Sequence, residues 1–539
     1  MSSIGNKTND ARHFATPTRR ADESSALDRR GFLRGAAAAT LGTLGTSAAI
    51  AQDGTALQTP GDVGTDFVSA QLHAQTQNSQ RWGAATPNNW VRPRRGADHN
   101  VIIVGGGQSG LAIAYGLKRK GVGDVQVIDQ AEPGAAGIWR NIARMHQLRT
   151  PKTMAGPEQE NSMLGYRAWH ETLNGAASFD ALDRIPRLAW ADYLDWYAQV
   201  TDTAVSYRTR LIEVEPQGDM LRLHLEREGV RSEETTRKLV FANGYAGAGG
   251  ANLPGFVRAL PEDFWSHTSH RIDFSSMQGQ TVAIIGAGSS AFDAAAVALE
   301  SGAAEVHMFN RRPYVDYPGG SRAPDAGDRG HANVLGMSYE LPDVIRWRNF
   351  VARDRRVASV PPDSLQRAVR HDNFRLHLEA SLEDVEVSRG QVSARARGQA
   401  FRFDHMVAGT GYRIDLSAQA ELGGIHDTIA RWGDRYDPER SWSNDGAALY
   451  PYLGAGFEFL PRGNRGAEYL RNIHCFNLAG QLSYGIPVGD IPSTRDHPRL
   501  VEAIARDLYT DNIDVAAHRR FSEADVVPAD AAPYARALG

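Results

Sequence analysis

Short runs of apolar residues, each followed at once by a glycine-rich turn, are the clearest pattern along the chain. The run 101–104 leads directly into the sequence Gly-Gly-Gly-Gln-Ser-Gly at 105–110. Apolar residues then recur at helical spacing, and a second apolar run, 125–128, ends at Asp129. Continuous apolar runs of this length are typical of strands buried in a parallel sheet. The pattern therefore predicts a strand, a tight turn, a helix and a second parallel strand.

The same order of elements returns in the second half of the chain. The apolar run 281–285 leads into Gly-Ala-Gly-Ser-Ser-Ala at 286–291, and an alanine-rich helical segment follows. Its second apolar run, 306–309, ends at Asn310. Asn310 stands at the same distance from the first glycine of its unit as Asp129 does in the first unit. We interpret the two units as two dinucleotide-binding motifs of the Rossmann type.

The residue types in these units suit the parts of a dinucleotide. Glycines allow the backbone to turn tightly and approach a pyrophosphate, whose charge then lies at the amino end of the helix. A carboxylate after the second strand accepts hydrogen bonds from a ribose hydroxyl. The predicted contact residues are Gly105, Gly107, Ser109, Gly110 and Asp129 in the first unit, and Gly286, Gly288, Ser289, Ser290 and Ala291 in the second.

The end of the second unit predicts which nicotinamide dinucleotide it binds. Asn310 lacks the carboxylate that would repel a 2′-phosphate, and Arg311 and Arg312 follow it where guanidinium groups can bind that phosphate. We therefore expect NADPH at this unit. The alternative is that the two arginines only solvate the end of a strand, since arginine is abundant in this chain.

Two further apolar runs end in Gly-Tyr and lie on either side of the second unit, at 239–245 and 406–412. Each is interpreted as a strand that returns to a nucleotide-binding sheet. The predicted fold class is α/β, with two Rossmann-like domains and the NADPH domain inserted into the other. The predicted segments are a leader (1–51), a polar extension or linker (52–98), the first domain (99–277), the NADPH domain (278–400), the return to the first domain (401–515) and a tail (516–539).

The leader resembles a twin-arginine export signal. Arg29 and Arg30 stand directly before an uncharged stretch, 35–51, that ends in the small-x-small pattern Ala49-Ile50-Ala51. This stretch is too weakly hydrophobic to form a stable membrane span. The expectation is export to the periplasm by the twin-arginine machinery, and the alternative is a disordered alanine-rich leader. The segment 52–98 shows no sustained helical or strand period, and Trp82 and Trp90 are its candidate anchors.

Composition narrows the function mainly by exclusion. The chain has 539 residues, of which 42% are hydrophobic and 23% charged, as in ordinary globular proteins of more than one domain. Its formal net charge of −4 gives no reason to expect nucleic acid as a partner. A single cysteine, Cys475, excludes an internal disulfide and a redox-active cysteine pair. No cluster of residues suggests a metal site.

With these units in place, the chain resembles the flavin-dependent monooxygenases of the two-dinucleotide type, which include flavin-containing monooxygenases, Baeyer–Villiger enzymes and N-hydroxylases of lysine and ornithine. The resemblance covers roughly residues 99 to 490. Beyond the glycine units it is carried by Gly137 and Trp139, which match a Gly-Gly-x-Trp pattern, and by Thr410 and Gly411, which match an Ala-Thr-Gly-Tyr segment. Ala136 and Gly409 depart from these two patterns.

The resemblance implies FAD at the first unit, NADPH at the second, and molecular oxygen and a small molecule as substrates. It implies oxygen transfer through a flavin C4a-hydroperoxide. The family's histidine-containing linker fingerprint is faint here, and His267 is its candidate histidine or a polar hinge residue. Two alternatives remain open at this point: an NADPH oxidase or dehydrogenase without substrate oxygenation, and a non-catalytic flavin-binding protein. The aromatic segment 190–197 is expected to form a core helix or to wall the cavity.

Overall fold

The computed structural model describes residues 62–82, 87–159, 161–315, 336–355, 360–463, 466–495, 497–513 and 536–537. The predicted leader with Arg29 and Arg30 lies outside the described residues, as does the predicted tail apart from 536–537. Among the described residues, no helix combines the length and the apolar character that crossing a bilayer requires.

The first sheet has seven strands and contains the first glycine unit. Its strands are β1 (His99–Val104), β2 (Val125–Ile128), β5 (Val205–Ser206), β6 (Thr209–Gln217), β7 (Met220–Arg227), β8 (Val230–Phe241) and β17 (Ile473–Cys475). The order is β5-β2-β1-β8-β7-β6, and β17 pairs in parallel with the end of β8. Strands β5, β2, β1, β8 and β17 are parallel, whereas β6, β7 and β8 form an antiparallel meander.

The second sheet has five parallel strands in the order β12-β11-β10-β16-β9. They are β9 (Trp265–His267), β10 (Thr281–Ile285), β11 (Glu305–Phe309), β12 (Phe374–His377) and β16 (His405–Ala408). All of them lie in the chain between β8 and β17, so the second domain is inserted into the first, as predicted. Strands β9 and β16 fall outside the predicted range 278–400, because the apolar run at 406–412 forms β16 of the second sheet and β9 pairs with β16 at its edge. The chain rejoins the first sheet only at β17.

Smaller strands and the helices complete the fold. The strands are β3 (Gln147–Pro151) paired with β4 (Arg184–Pro186), and the antiparallel β13 (Glu383–Ser388), β14 (Gln391–Ala396) and β15 (Gln399–Phe403). The helices are α1 (Asp62–Trp82), α2 (Gln108–Arg119), α3 (Tyr166–Asn174), α4 (Ala176–Ala181), α5 (Arg187–Val200), α6 (Gly255–Arg258), α7 (Ser289–Glu300), α8 (Asp343–Asp354), α9 (Pro362–Val369), α10 (Trp432–Arg435), α11 (Asp445–Ala448), α12 (Gln481–Tyr484) and α13 (His497–Asn512).

The apolar residues that predicted each sheet also form its core. The strand residues Val101, Ile102 and Ile103 are fully buried, as a central parallel strand covered on both faces requires. Helix α7 packs on the second sheet through buried alanines, whose small side chains let helix and sheet approach closely. The aromatic segment in α5 is a core helix: Tyr193 and Tyr197 are fully buried among other aromatic rings.

The segment 52–98, predicted as a polar extension or linker, contains helix α1, which no period in its sequence indicated. This helix is held by Leu72, which is fully buried in an aromatic cluster, and by polar contacts to neighbouring elements. Gln80 Nε2 donates to the Tyr115 hydroxyl at 3.4 Å, for example. A helix that packs largely through polar side chains shows no apolar period. Trp82 is exposed and does not anchor the segment, whereas Trp90 Nε1 donates to the carbonyl of Lys120.

Candidate functional site

The first glycine turn brings three chain segments together so closely that side chains are excluded. Gly105 has a φ of +114°, and a Cβ there would lie 2.5 Å from the carbonyl oxygen of Ala242, which follows β8. A Cβ on Gly110 would lie 1.8 Å from the carbonyl oxygen of Gly105. Helix α2 begins immediately after Gly107, so its amino end points out of this bare turn. Only backbone can occupy these positions, which fits the close approach of a pyrophosphate.

Asp129 lies at this turn, as the spacing predicted. Its Oδ2 accepts a hydrogen bond from the Gly106 backbone N–H at 2.7 Å, and its Oδ1 accepts one from Ala131 at 2.8 Å. Each carboxylate oxygen keeps a further lone pair, so the group can also accept from ribose hydroxyls. The carboxylate is thus oriented by the backbone before any ligand binds.

The Gly137 segment folds over the same turn. A Cβ on Gly107 would lie 3.3 Å from the Cα of Gly137, so the two backbones are in contact. Gly137 has a φ of +73°, a conformation that favours glycine. Trp139 packs against the aromatic cluster of α5, and its carbonyl accepts a hydrogen bond from Arg187. Ser109 is buried in the first turn of α2. The predicted residues of the first unit are therefore brought together.

The second unit repeats this geometry. Gly286 has a φ of +100°, and a Cβ there would lie 2.6 Å from the carbonyl oxygen of Gly409, which follows β16. Helix α7 begins at Ser289, directly after Gly288, and Ser290 is exposed at its amino end while Ala291 is fully buried. A bare turn at the amino end of a helix fits a second dinucleotide.

Asn310 takes the structural place of Asp129. Its Oδ1 accepts from the Arg312 backbone N–H at 3.2 Å, the same two-residue step that Asp129 makes to Ala131. Both Arg311 and Arg312 are exposed beside it. Arg312 Nη1 donates to the carbonyl of Arg355 at 3.2 Å, whereas the Arg311 guanidinium makes no hydrogen bond or ion pair with another described residue. Arg311 therefore keeps all of its donors for a ligand, whereas Arg312 has already engaged one.

Thr410 and Gly411 follow β16 and are hydrogen-bonded to Asn252, in the segment that leads from β8 to β9. Thr410 Oγ1 donates to the Asn252 carbonyl, and the Asn252 N–H donates to the Gly411 carbonyl at 3.0 Å. The next residue, Tyr412, meets Tyr245 edge to face, with ring centroids 5.6 Å apart. Because Tyr245 and Tyr412 follow the ends of β8 and β16, the carboxyl ends of both sheets face one junction. Ligands of open parallel sheets bind at this end of the strands.

His267 lies at the same junction, at the end of β9. Its side chain is fully buried, and its Nδ1 accepts from the Ser269 backbone N–H at 3.0 Å. Burial, together with the nearby charge of His270, lowers the pKa of His267 to about 4. The ring is thus neutral at pH 7 and is bonded to the chain that follows β9.

Sequence reasoning missed Asp490 and the pair Arg149–Asp293. Gly489 lies against Tyr245, and its carbonyl accepts from Gln108 at the start of α2 at 2.9 Å. The following residue, Asp490, is partly accessible to solvent, and the protein atoms packed around its carboxyl raise the pKa of this group by desolvation. The apolar run that ends in Gly489-Asp490 was a signal for this position. No sequence signal links Arg149 to Asp293, which is 144 positions away.

The fold and this junction define a class: a flavoprotein-type oxidoreductase with two dinucleotide-binding units that face each other. The alternative of disulfide chemistry is excluded by the sole cysteine, Cys475, which is buried and whose pKa burial raises to about 12. Within the described residues, no group of histidine, cysteine and acidic side chains is arranged to hold a metal ion.

Comparison with known proteins identifies the family. Residues 102–319 match the family model of pyridine nucleotide-disulphide oxidoreductases. The chain is 35% identical to the FAD-dependent urate hydroxylase of Xanthomonas campestris pv. campestris over 467 residues, which cover 85% of this chain and 97% of that protein. The chain therefore belongs to the family of FAD-dependent monooxygenases that includes this urate hydroxylase, and it is an FAD-dependent oxidoreductase.

Solved structures agree on the fold. The ornithine hydroxylase of Pseudomonas aeruginosa superposes with a TM-score of 0.60 at 18% identity, covering 76% of this chain and 99% of that one. The L-lysine 6-monooxygenase of Pseudomonas syringae gives 0.56 at 18% identity, with 77% and 100% covered. At these identities the likeness concerns the nested arrangement of the two domains.

Proposed function

We propose that the protein is an NADPH-dependent urate hydroxylase. The observation that carries the proposal is the junction of Tyr245 and Tyr412, where the carboxyl ends of both nucleotide-binding sheets meet. The identity to a urate hydroxylase over 97% of its length supports the substrate. In the balanced reaction, urate, O₂, NADPH and a proton give hydroxylated urate, NADP⁺ and water.

FAD, when bound, would supply the hydride acceptor and the group that activates oxygen. Gly105, Gly107 and Gly110 would admit its pyrophosphate to the amino end of α2, and Asp129 would bind its ribose. Gly286 and Gly288 would do the same for NADPH at α7. The buried, neutral ring of His267 would add no charge of its own to the junction.

The positive charge around the junction suits an anionic purine. Both Nη atoms of Arg144 bind carbonyl oxygens, of Thr268 and His270, at 2.7 Å each. Arg353 binds the Gly485 carbonyl through Nη1 at 2.8 Å and lies close enough to Tyr245 for the two to interact electrostatically. Urate is an anion at neutral pH, so these guanidinium groups favour it over a cationic amine such as lysine or ornithine.

The test is to reduce the purified protein with NADPH under anaerobic conditions, and then to add air with urate, xanthine, L-lysine or L-ornithine. We expect bleaching of the flavin by NADPH and stoichiometric loss of urate only. Peroxide release equal to NADPH consumption, with urate unchanged, would identify an oxidase. Bound FAD that NADPH does not reduce would identify a flavin-binding protein without this activity.

We further propose that the protein is exported to the periplasm by the twin-arginine machinery. The support is the sequence 28–51, with Arg29 and Arg30 before an uncharged stretch. A fusion of residues 1–60 to a folded reporter should be exported, and replacing both arginines by lysine should retain it in the cytoplasm. Export that survives this replacement would exclude the twin-arginine route.

A further inference from the structure

Arg149 connects the two nucleotide-binding domains through a single short ion pair. It lies on β3, beside the first domain, and its Nη2 donates to Oδ2 of Asp293 at 2.6 Å. Asp293 lies on α7, one turn after the glycine turn of the second unit, and only 3% of its side chain is exposed. A charge-assisted hydrogen bond to a buried carboxylate has a well-defined geometry.

Several arginines lie near Asp293, but Arg149 is the one that hydrogen-bonds its carboxylate. Ser364 on α9 donates to the other carboxylate oxygen, Oδ1, at 2.6 Å. Arg367 Nη1 is 3.9 Å from Oδ1 but donates to the carbonyl of Arg144 at 3.0 Å, and Nε and Nη2 of Arg367 donate to Glu300 at 3.0 and 2.7 Å. Among the described residues, Arg149 is thus the only arginine that hydrogen-bonds Asp293.

The same guanidinium also acts on the first domain's side of the junction. Tyr245 and Asp490 lie beside one another, and burial raises the pKa values of both. The positive charge of Arg149 offsets part of each rise, so its guanidinium lies near both groups. Tyr245 follows β8. The loop that contains Asp490 accepts a hydrogen bond, at the carbonyl of Gly489, from Gln108, the first residue of α2. Arg149 therefore contacts helix α7 of the second unit and lies near Tyr245 and Asp490 of the first domain.

The geometry points to Arg149 as a positioning residue for hydride transfer between the two bound nucleotides. This inference rests on the proposed function, in which NADPH bound at α7 reduces FAD bound at α2. Hydride transfer requires the two reacting carbons to be in contact, and a displacement of about 1 Å can reduce such a rate roughly 100-fold. By holding Asp293, Arg149 fixes the angle of α7, and with it the nucleotide at its amino end, against the flavin side.

The domains have a second connection, which makes a variant at Arg149 interpretable. Arg144 binds the carbonyl oxygens of Thr268 and His270, in the segment that enters the second sheet, rather than α7 itself. It can keep the domains together when Arg149 is replaced. Loss of the Arg149–Asp293 pair should then change the orientation of the nucleotide without dissociating the domains.

The experiment is anaerobic rapid mixing of the FAD-loaded protein with NADPH, for the wild type, Arg149→Met and Arg149→Lys. We expect the limiting rate of flavin reduction to fall roughly tenfold to 100-fold in Arg149→Met. The NADPH dissociation constant should change less than about threefold, because Asp293 is buried one turn along α7 from the amino end at which NADPH is proposed to bind. FAD content, and reoxidation by O₂ after dithionite reduction, should match the wild type. Arg149→Lys keeps the charge and should recover part of the rate.

Two further variants separate positioning from general destabilisation. Asp293→Asn should lose as much rate as Arg149→Met, and the double variant should lose no more than either single one. Arg167→Met removes a pair of the same length, Arg167–Glu171 at 2.6 Å, on the surface of α3. This control should leave the reduction rate unchanged.

The outcomes distinguish this inference from the proposed function. A wild-type protein that NADPH does not reduce would overturn the proposed function, and this inference with it. A wild type that is reduced normally, with Arg149→Met equally fast, would overturn the positioning role alone. A raised dissociation constant at an unchanged limiting rate would also overturn it, since Arg149 would then serve binding. If Arg149→Met fails to fold, Arg149→Lys and Asp293→Asn decide by the same criteria.

Discussion

Ala291 and Gly409 occupy one space in the second nucleotide-binding unit: a Cβ on Gly409 would lie 2.5 Å from the Cβ of Ala291. The equivalent positions in the first unit are Gly110 and Ala242, because Ala242 faces Gly105 as Gly409 faces Gly286. Each unit thus carries one methyl group at this pair of positions. The departure of Gly409 from the alanine of the family segment is explained by Ala291, which stands where the first unit has glycine.

The first prediction tests this exchange. Gly409→Ala should destabilise the protein by about 1–3 kcal/mol, because the added methyl has no space between helix α7 and strand β16. The cost should be smaller in an Ala291→Gly background, although glycine in the helix itself costs up to about 1 kcal/mol. Urea unfolding of the four proteins measures the coupling. Equal costs of Gly409→Ala in both backgrounds would show that the two positions do not compete.

The second prediction concerns the first unit. Gly107→Ala should fold but lose its FAD, since the new methyl would lie 3.3 Å from Gly137 without a severe clash and would point at the expected pyrophosphate. Gly255→Ala is the matched control, because a Cβ there meets nothing within 4 Å. Absorbance of the flavin relative to protein measures occupancy. Full occupancy in Gly107→Ala would remove the first unit as the FAD site.

These cases show what the sequence could predict. The glycine turns, Asp129 and Asn310 follow from local spacing, because a strand, turn and helix place residues at fixed distances along the chain. The nested order of the domains followed from the two Gly-Tyr runs on either side of the second unit. Both predictions rest on short motifs that occur twice in the chain.

The missed features depend on contacts between distant segments. Arg149 and Asp293 meet only because β3 and α7 are folded against each other, and neither residue stands in a motif. Helix α1 was missed since its buried face includes Thr76, whose hydroxyl is satisfied by the Leu72 carbonyl at 2.8 Å. A polar residue buried in this way breaks the apolar period on which sequence reasoning relies.

The third prediction is a pH dependence of stability. Burial lowers the pKa of His267 to about 4, below the ordinary value of 6.5 that it regains on unfolding. Between these values the unfolded chain binds the additional proton, so the stability present above pH 6.5 is lost as the pH falls toward 4. His267→Gln should therefore flatten the decline in urea midpoint between pH 7 and pH 5. An unchanged decline would mean that His267 is already solvated and charged in the native protein.

The last prediction concerns the choice of nicotinamide donor. Arg311→Ala should raise the KM for NADPH roughly tenfold to 100-fold, because a charge-assisted hydrogen bond to the 2′-phosphate contributes about 1.5–3 kcal/mol. Arg312→Ala should raise it less, since Arg312 Nη1 already donates to the Arg355 carbonyl. NADH has no 2′-phosphate, so its KM should stay nearly constant in both variants, and steady-state kinetics with each donor measures this difference. In Asn310→Asp, the introduced carboxylate should repel the 2′-phosphate of NADPH and accept a hydrogen bond from the ribose 2′-hydroxyl of NADH. This should shift the preference toward NADH. If the arginine variants weaken both donors equally, Arg311 and Arg312 stabilise the end of β11, and the second unit does not select for NADPH.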